Sequence, residues 1–296
     1  MNQNFAQTQR LTWCDGCGNY GIFNSLRTAL HELELDEKKV FLCFDIGCNG
    51  NGNDKLSGYR AHTLHGRVLP FATGAKLANP ELIVIAMAGD GATYAEGMNH
   101  FVHSIRNEFP LTFIVHDNGN YGLTTGQCSP TSPQDNPYNS NPHGNLGKVL
   151  NPLDLALTLG ATFVAQGFSG EMKSLKELIK LAIKHQNSGG FAYLNILPTC
   201  PTYNKFETND EYIDEIVNYT SEKYKYTSNL LENDVTITND KDHARKLISD
   251  TPHKFCGVLY EEINFKGFME HAKFDLILEN RENDSVSLDA RLRSYR

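Results

Sequence analysis

Short apolar runs that end on glycine or aspartate alternate along this chain with longer stretches whose apolar residues recur every three or four positions. Val40 to Ile46, Leu82 to Ala88, Leu111 to Val115, residues 161–166 and Phe191 to Leu197 are runs of the first kind, and each predicts a buried strand. Ile22, Leu26, Leu30 and Leu33 predict a helix over about 20–35, and Ala95, Met98, Phe101, Val102 and Ile105 share one face of another. Further helices are expected over 66–79, with Pro70 near its start, and over 152–159 and 171–187. The Gly- and Asn-rich stretch 49–60 reads as a loop, and 124–151, punctuated by Pro130, Pro133, Pro137 and Pro142, as a long ordered loop or lid. Strands that alternate with helices and are apolar throughout predict an α/β fold, a parallel sheet covered by helices on both faces.

Charge divides the chain. Thirty of the first 200 positions are charged against 32 of the last 96, which sets a boundary near Pro201 between a core domain (1–200) and a polar C-terminal extension (201–296), exposed or wrapped on a partner. The net charge of −8 supplies no basic surface for nucleic acid. No stretch approaches the roughly 18–20 apolar residues of a membrane span, and Met1 to Arg10 contain no apolar leader, so a cytoplasmic protein without membrane contact is expected.

In open α/β sheets ligands bind beyond the carboxyl ends of the strands. Three polar, glycine-rich clusters, at 47–53, 89–91 and 117–122, fall at such ends and are expected to converge. Asp90 follows one strand and Asn118 the next; a carboxylate, an amide oxygen and a backbone carbonyl form a hard-oxygen set suited to Mg²⁺ beside phosphate. Seven cysteines without a secretory leader point to buried, metal-bound or catalytic thiols. Cys14, Cys17, Cys48 and Cys200 each lie beside an expected element end, and spacing alone leaves a 4Fe–4S cluster and a tetrahedral zinc both open. Cys43 and Cys256 read as small buried hydrophobes, and Cys128 is given no role.

Taken together, WCDGCG at 13–18, DIGCNG at 45–50, HTLHGRVLP at 62–70, GAKLANP at 74–80, GDG at 89–91, NYGLTTGQ at 120–127, SPTS at 129–132 and PTCPTYN at 198–204 resemble the beta subunit of 2-oxoacid:ferredoxin oxidoreductases. The resemblance spans 13–204 and continues only loosely beyond, through 257–262. It implies a thiamine-diphosphate-binding fold in which Asp90, Asn118 and the main-chain carbonyl of Asn120 hold Mg²⁺, while Ile46, Gly47, Cys48, Asn49, His65, Gly91, Ala92, Gly122 and Leu123 line the cofactor. His62 is read as structural. Cys14, Cys17, Cys48 and Cys200 would then carry a 4Fe–4S cluster rather than zinc. The implied reaction is reversible oxidative decarboxylation of a 2-oxoacid, 2-oxoglutarate ahead of pyruvate, to acyl-CoA and CO₂, with coenzyme A as co-substrate and ferredoxin as electron acceptor. The activating glutamate is expected from an alpha subunit, so no catalytic residue is named here and the chain alone should be inactive.

The sequence departs from that pattern at Asp15, in place of a common Pro, at Asp117, in place of Asn, and at Asn120, in place of an aliphatic residue. Where many relatives carry Lys or Arg about three residues after the cysteine matching Cys48, this chain has Asn51; Lys55, Asn51 itself or the partner subunit is left to meet the substrate carboxylate. The rival expectations are a non-oxidative thiamine-diphosphate decarboxylase module with structural zinc at the cysteines, and a non-catalytic scaffold subunit.

Overall fold

The computed structural model describes residues 5–205, 240–250 and 255–273. Its centre is a sheet of seven described strands: β1 (Val40–Phe44), β2 (Tyr59–His62), β3 (Ile83–Gly89), β4 (Thr112–His116), β5 (Phe163–Phe168), β6 (Ala192–Leu197) and β7 (Gly257–Glu261). They lie in the order β2-β1-β3-β4-β6-β5-β7. All pairs are parallel except β5 with β7. From β1 the chain goes outward to β2 and then returns past β1 to β3, so the strand order reverses between β1 and β3, the place where such sheets open a crevice.

Helices cover both faces because the strands between them are apolar on both. On one side α1 (Asn19–Glu32) lays Ile22, Leu26 and Leu30 beside Leu175, Ile179 and Ile183 of α5 (Met172–Asn187). On the other, α2 (Val68–Ala78), α3 (Met98–Asn107), α4 (Pro152–Leu159) and α6 (Lys241–Asp250) bury Leu69, Phe101, Leu153 and Leu247 in a second core. The sequence limits α4 sharply. Asn151 accepts hydrogen bonds from the N–H groups of Leu153 (3.1 Å) and Asp154 (3.2 Å), Pro152 opens the helix, and Gly160 closes it at φ +91°. A short helix, α7 (Phe268–His271), follows β7.

The expected α/β architecture is present, with three differences. Edge strand β2, Tyr59–His62, begins inside the stretch 49–60 read as loop; its side chains are largely exposed, so no apolar signal marks it. Ala95 is exposed in a wide π-type turn, Ala92–Glu96, and α3 begins only at Met98. The polar extension contributes to this chain's own fold: α6 and β7 bury Ala244, Leu247, Ile248, Leu259 and Tyr260, and β7 makes the sheet mixed rather than purely parallel. The rest of the extension, 206–239, 251–254 and 274–296, lies outside the described residues, so the reading of it as a partner-contacting arm does too. Among the described residues no helix is long and apolar enough to cross a membrane.

Candidate active site

The ends of β1, β3 and β4 supply three loops to one cleft. Asp45, fully buried past β1, organises the first. Its carboxylate accepts the N–H groups of Ile46 (2.8 Å), Gly66 (2.9 Å) and Val68 (3.2 Å), which caps α2 and ties 45–48 to the segment carrying His65. Gly47 turns the chain at φ +130°, a region side chains disfavour. Asn49 donates to the Met87 carbonyl (3.0 Å), leaving its buried Oδ1 without a partner.

Past β3, Asp90 is buried beside a second carboxylate, Asp117. Thr131 Oγ1 lies 3.0 Å from Asp90 Oδ2 and 2.6 Å from Asp117 Oδ1, yet one hydroxyl has one proton to give. Asn195 Nδ2 donates to the other Asp117 oxygen (3.2 Å). Burial, and then the charge of Asp117, hold Asp90 well above the usual carboxylate range. Two crowded buried carboxylates and a shortage of protons are what a bound divalent cation would resolve. At Gly91 a Cβ would fall 2.3 Å from the Tyr121 ring, so this approach admits only glycine.

Past β4, Asn118 Oδ1 accepts the Asn120 N–H (3.1 Å), and the Asn120 carbonyl accepts the Gly122 N–H (3.1 Å); each oxygen keeps a lone pair for a metal. His116 Nδ1 bonds Asn19 Oδ1 (2.7 Å), its Nε2 is buried without a partner, and burial pushes its pKa down to about 3, so the ring is neutral. At the cleft wall His65 stacks on Tyr121 (22° between rings), and the Tyr121 hydroxyl donates to Glu96.

The four cysteines gather against this cleft. Burial raises the Cys17 thiol to about 11 and Cys48 to about 12, and neighbouring thiols add to both: Cys200 and Cys14 act on Cys17, and all three others act on Cys48. Cys48 also lines the cleft, and its carbonyl accepts the Trp13 indole N–H (2.6 Å). Among the described residues, however, no three His, Cys, Asp or Glu side chains close on a single metal ion. Thiolates on one zinc sit about 3.8 Å apart, given Zn–S of about 2.3 Å; a cubane cluster holds them wider.

Every residue assigned to the cofactor (Ile46, Gly47, Cys48, Asn49, His65, Gly91, Ala92, Gly122, Leu123) and to magnesium (Asp90, Asn118, Asn120) lines the cleft. Asn51 and Lys55 do not: Lys55 is buried elsewhere and its Nζ pairs with Asp54 (2.6 Å). Cys43 and Cys256 are buried, and Cys128 is partly exposed. Sequence reasoning missed Asn19, His116, Tyr121 and Thr124 in the lining and Thr131 behind Asp90. The SPTS stretch was a usable signal for Thr131, and NYGLTTGQ at 120–127 contains Tyr121 and Thr124; Asn19 and His116 carried none beyond adjacency to motifs.

The family described as "Thiamine pyrophosphate enzyme, C-terminal TPP binding domain" matches residues 45–196, the segment that holds all three loops. The 2-oxoacid:ferredoxin oxidoreductase beta subunit of Saccharolobus solfataricus is 48% identical over 202 residues, 68% of this chain and 65% of that one. The 2-oxoglutarate synthase subunit KorB of Archaeoglobus fulgidus is 33% identical over 77% of this chain and 82% of its own length. This chain belongs to the 2-oxoacid:ferredoxin oxidoreductase beta subunits. As such a beta subunit it superposes on a 2-oxoglutarate:ferredoxin oxidoreductase structure from Magnetococcus marinus, described with 2-oxoglutarate, coenzyme A and succinyl-CoA bound. The TM-score is 0.83 at 34% identity, covering 98% of this chain and 94% of that one. The beta subunit spans 65% of the length of its Saccharolobus solfataricus and Sulfolobus sp relatives.

Proposed function

We propose that this beta subunit, together with an alpha subunit, oxidatively decarboxylates a 2-oxoacid to acyl-CoA and CO₂, with electrons leaving through a 4Fe–4S cluster to ferredoxin in the cytoplasm. The reaction also runs in reverse. The observation that carries this reading is that Cys48 belongs to two groups at once: it lines the cleft formed by the three strand-end loops, and it lies within electrostatic reach of Cys14, Cys17 and Cys200. An electron outlet therefore adjoins the cofactor cleft.

Thiamine diphosphate, when bound, supplies the electron sink that lets the 2-oxoacid lose CO₂. The protein's part is binding and orientation. Asp90, Asn118 and the Asn120 carbonyl hold Mg²⁺ against the diphosphate, and Thr131 keeps Asp90 and Asp117 apart in register. Gly91 and Gly122 leave room for the close approach, while His65 and Leu123 flank the cleft entrance. Cys14, Cys17, Cys48 and Cys200 hold the cluster.

The names of the Archaeoglobus and Magnetococcus relatives favour 2-oxoglutarate over pyruvate. With Lys55 turned to Asp54 and Asn51 outside the lining, we assign the distal carboxylate of the substrate, like the activating glutamate, to the alpha subunit. Residues 1–200 carry the site, and residues 201–296, beyond what α6 and β7 give to this chain's sheet, are assigned the contact with that subunit.

Anaerobic purification of the two subunits together tests the reading. About four irons and four sulfides per beta chain, with 2-oxoglutarate- and coenzyme A-dependent reduction of ferredoxin, are expected. One zinc per chain without sulfide, or full turnover by the beta chain alone, would sink it.

A further inference from the structure

Gln166 and Asn195 are the side-chain amides of β5 and β6, two strands buried along their whole length. They stand opposite one another in the parallel register. Asn195 Nδ2 donates both to Gln166 Oε1 (3.0 Å) and to Asp117 Oδ2 (3.2 Å). Its Oδ1 accepts the Tyr94 hydroxyl (3.1 Å), which itself lies against the hydroxyl of Tyr193. Gln166 Nε2 donates to the main-chain carbonyl of Phe255 (2.7 Å), in the C-terminal extension. A carbonyl can only accept, so it fixes which way the Gln166 amide points. Gln166 Oε1 then faces Asn195 and also only accepts, which turns the Asn195 NH₂ group toward it. The same NH₂ group reaches Asp117. Reversed, the Asn195 amide would set its oxygen against both Gln166 Oε1 and Asp117 Oδ2. One main-chain carbonyl therefore gives every link a direction, and the chain of links ends beside Asp90.

We propose that Asn195 is a positioning residue for the metal site, oriented by Gln166 and the Phe255 carbonyl so that its NH₂ group holds Asp117 in place behind Asp90. This rests on the reading of Asp90 as a Mg²⁺ ligand. Asp117 Oδ1 and Asp90 Oδ2 share the single Thr131 hydroxyl proton. With Asn195 turned as it is, Asp117 Oδ2 has its own donor and the carboxylate keeps its other oxygen at Thr131. Without that donor, Asp117 is a buried carboxylate short of partners, a costly state that it relieves by turning. Thr131 follows it, and Asp90 loses the partner that fixes its ligating geometry. Withdrawal from water strengthens each of these bonds, and neighbouring bonds polarise one another. None of Asn195, Gln166 and Phe255 lines the cleft, yet through them the C-terminal extension reaches the metal site.

The test measures thiamine diphosphate binding at fixed Mg²⁺ by calorimetry, on the anaerobically purified complex of the two subunits. Gln166→Leu removes the orienting group and touches nothing in the cleft; affinity should fall about tenfold, the lower end of the cost of losing a group behind a metal ligand. The same substitution is then made in an Asp117→Asn background. An amide at 117 can donate or accept, so it meets Asn195 in either orientation, and there Gln166→Leu should cost no further affinity. A role in folding alone would cost the same in both backgrounds, which is what the cycle separates. An unchanged affinity in Gln166→Leu, or an equal loss in the two backgrounds, overturns the proposal. Should Gln166→Leu fail to assemble, Tyr94→Phe decides in its place: it takes the donor from the other end of the Asn195 amide, and it should weaken binding with Asp117 present and leave it unchanged with Asn at 117. A wild-type complex that binds no thiamine diphosphate with Mg²⁺ overturns the parent reading and this one together, whereas tight binding indifferent to Gln166 overturns only this one.

Discussion

Asp90 and Glu108 are both carboxylates withdrawn from water, and they sit at opposite ends of the parallel strands. Glu108 ends α3 at the side where β4, β5 and β6 begin. It accepts hydrogen bonds from the Thr162 hydroxyl and the Phe191 N–H (2.7 Å), while its own carbonyl accepts the Phe268 N–H (3.1 Å). His185 completes the group, with Nε2 2.8 Å from Thr162 Oγ1 and Nδ1 3.3 Å from Glu261. There the fold answers the buried charge with donors. At Asp90 the Thr131 donor is shared with a second carboxylate, Asp117, and nearby Asn49 Oδ1 and His116 Nε2 are left unmatched. Burial raises both acids and each also feels a like charge, Asp117 at Asp90 and Glu262 at Glu108, so a raised pKa does not by itself distinguish them; the orphaned polar atoms beside Asp90 do.

Three substitutions press on that contrast. The largest effect belongs to Asp90→Asn, which should abolish Mg²⁺-dependent thiamine diphosphate binding by calorimetry while the protein stays folded by circular dichroism; retained binding would move the metal elsewhere. Glu108→Gln should act on stability and leave cofactor binding alone. Burial lifts Glu108 from 4.5 to about 7, so the folded state holds the proton more tightly than the unfolded chain. The stability this adds is complete below about pH 4.5 and is lost as pH rises through about 7. Over that window wild type should lose up to about 3 kcal/mol relative to Glu108→Gln, read from urea melts at several pH values. Parallel melting curves would contradict the assignment. Thr131→Val removes the shared proton between Asp90 and Asp117 at constant shape; cofactor affinity should fall roughly 10- to 100-fold, the range typical of groups behind a metal ligand. A change within error would make Thr131 a spectator.

What the sequence disclosed is what local chemistry writes. Asn151, Pro152 and Gly160 announce α4 because capping depends on neighbours in the chain, and the strand ends were readable because apolar runs stop where glycine and aspartate begin. The twelve cleft residues followed from those ends together with the family resemblance. What stayed hidden depends on distant partners. Strand β2 is held by pairing with β1 rather than by its own apolar pattern, and α6 and β7 lay unnoticed in a segment whose average composition is polar. Asn19 and His116 meet across 97 positions, and Thr131 reaches Asp90 across 41; nothing in either neighbourhood encodes the contact. Lys55 shows the reverse error, a cation close in sequence to the cofactor loop that the fold buries against Asp54.

Strand β5 is buried along its whole length, and its outer edge is hydrogen-bonded by Gly257–Glu261, returning from far along the chain. During synthesis the ribosome delivers Phe163–Phe168 long before that cover exists. For the whole of that interval the nascent chain displays an unpaired edge carrying two phenylalanines and a valine, the kind of template on which neighbouring polypeptides pair. Antiparallel closure by β7 is thus a late seal, and its timing makes translation, more than the finished fold, the moment at which this protein is most open to aggregation.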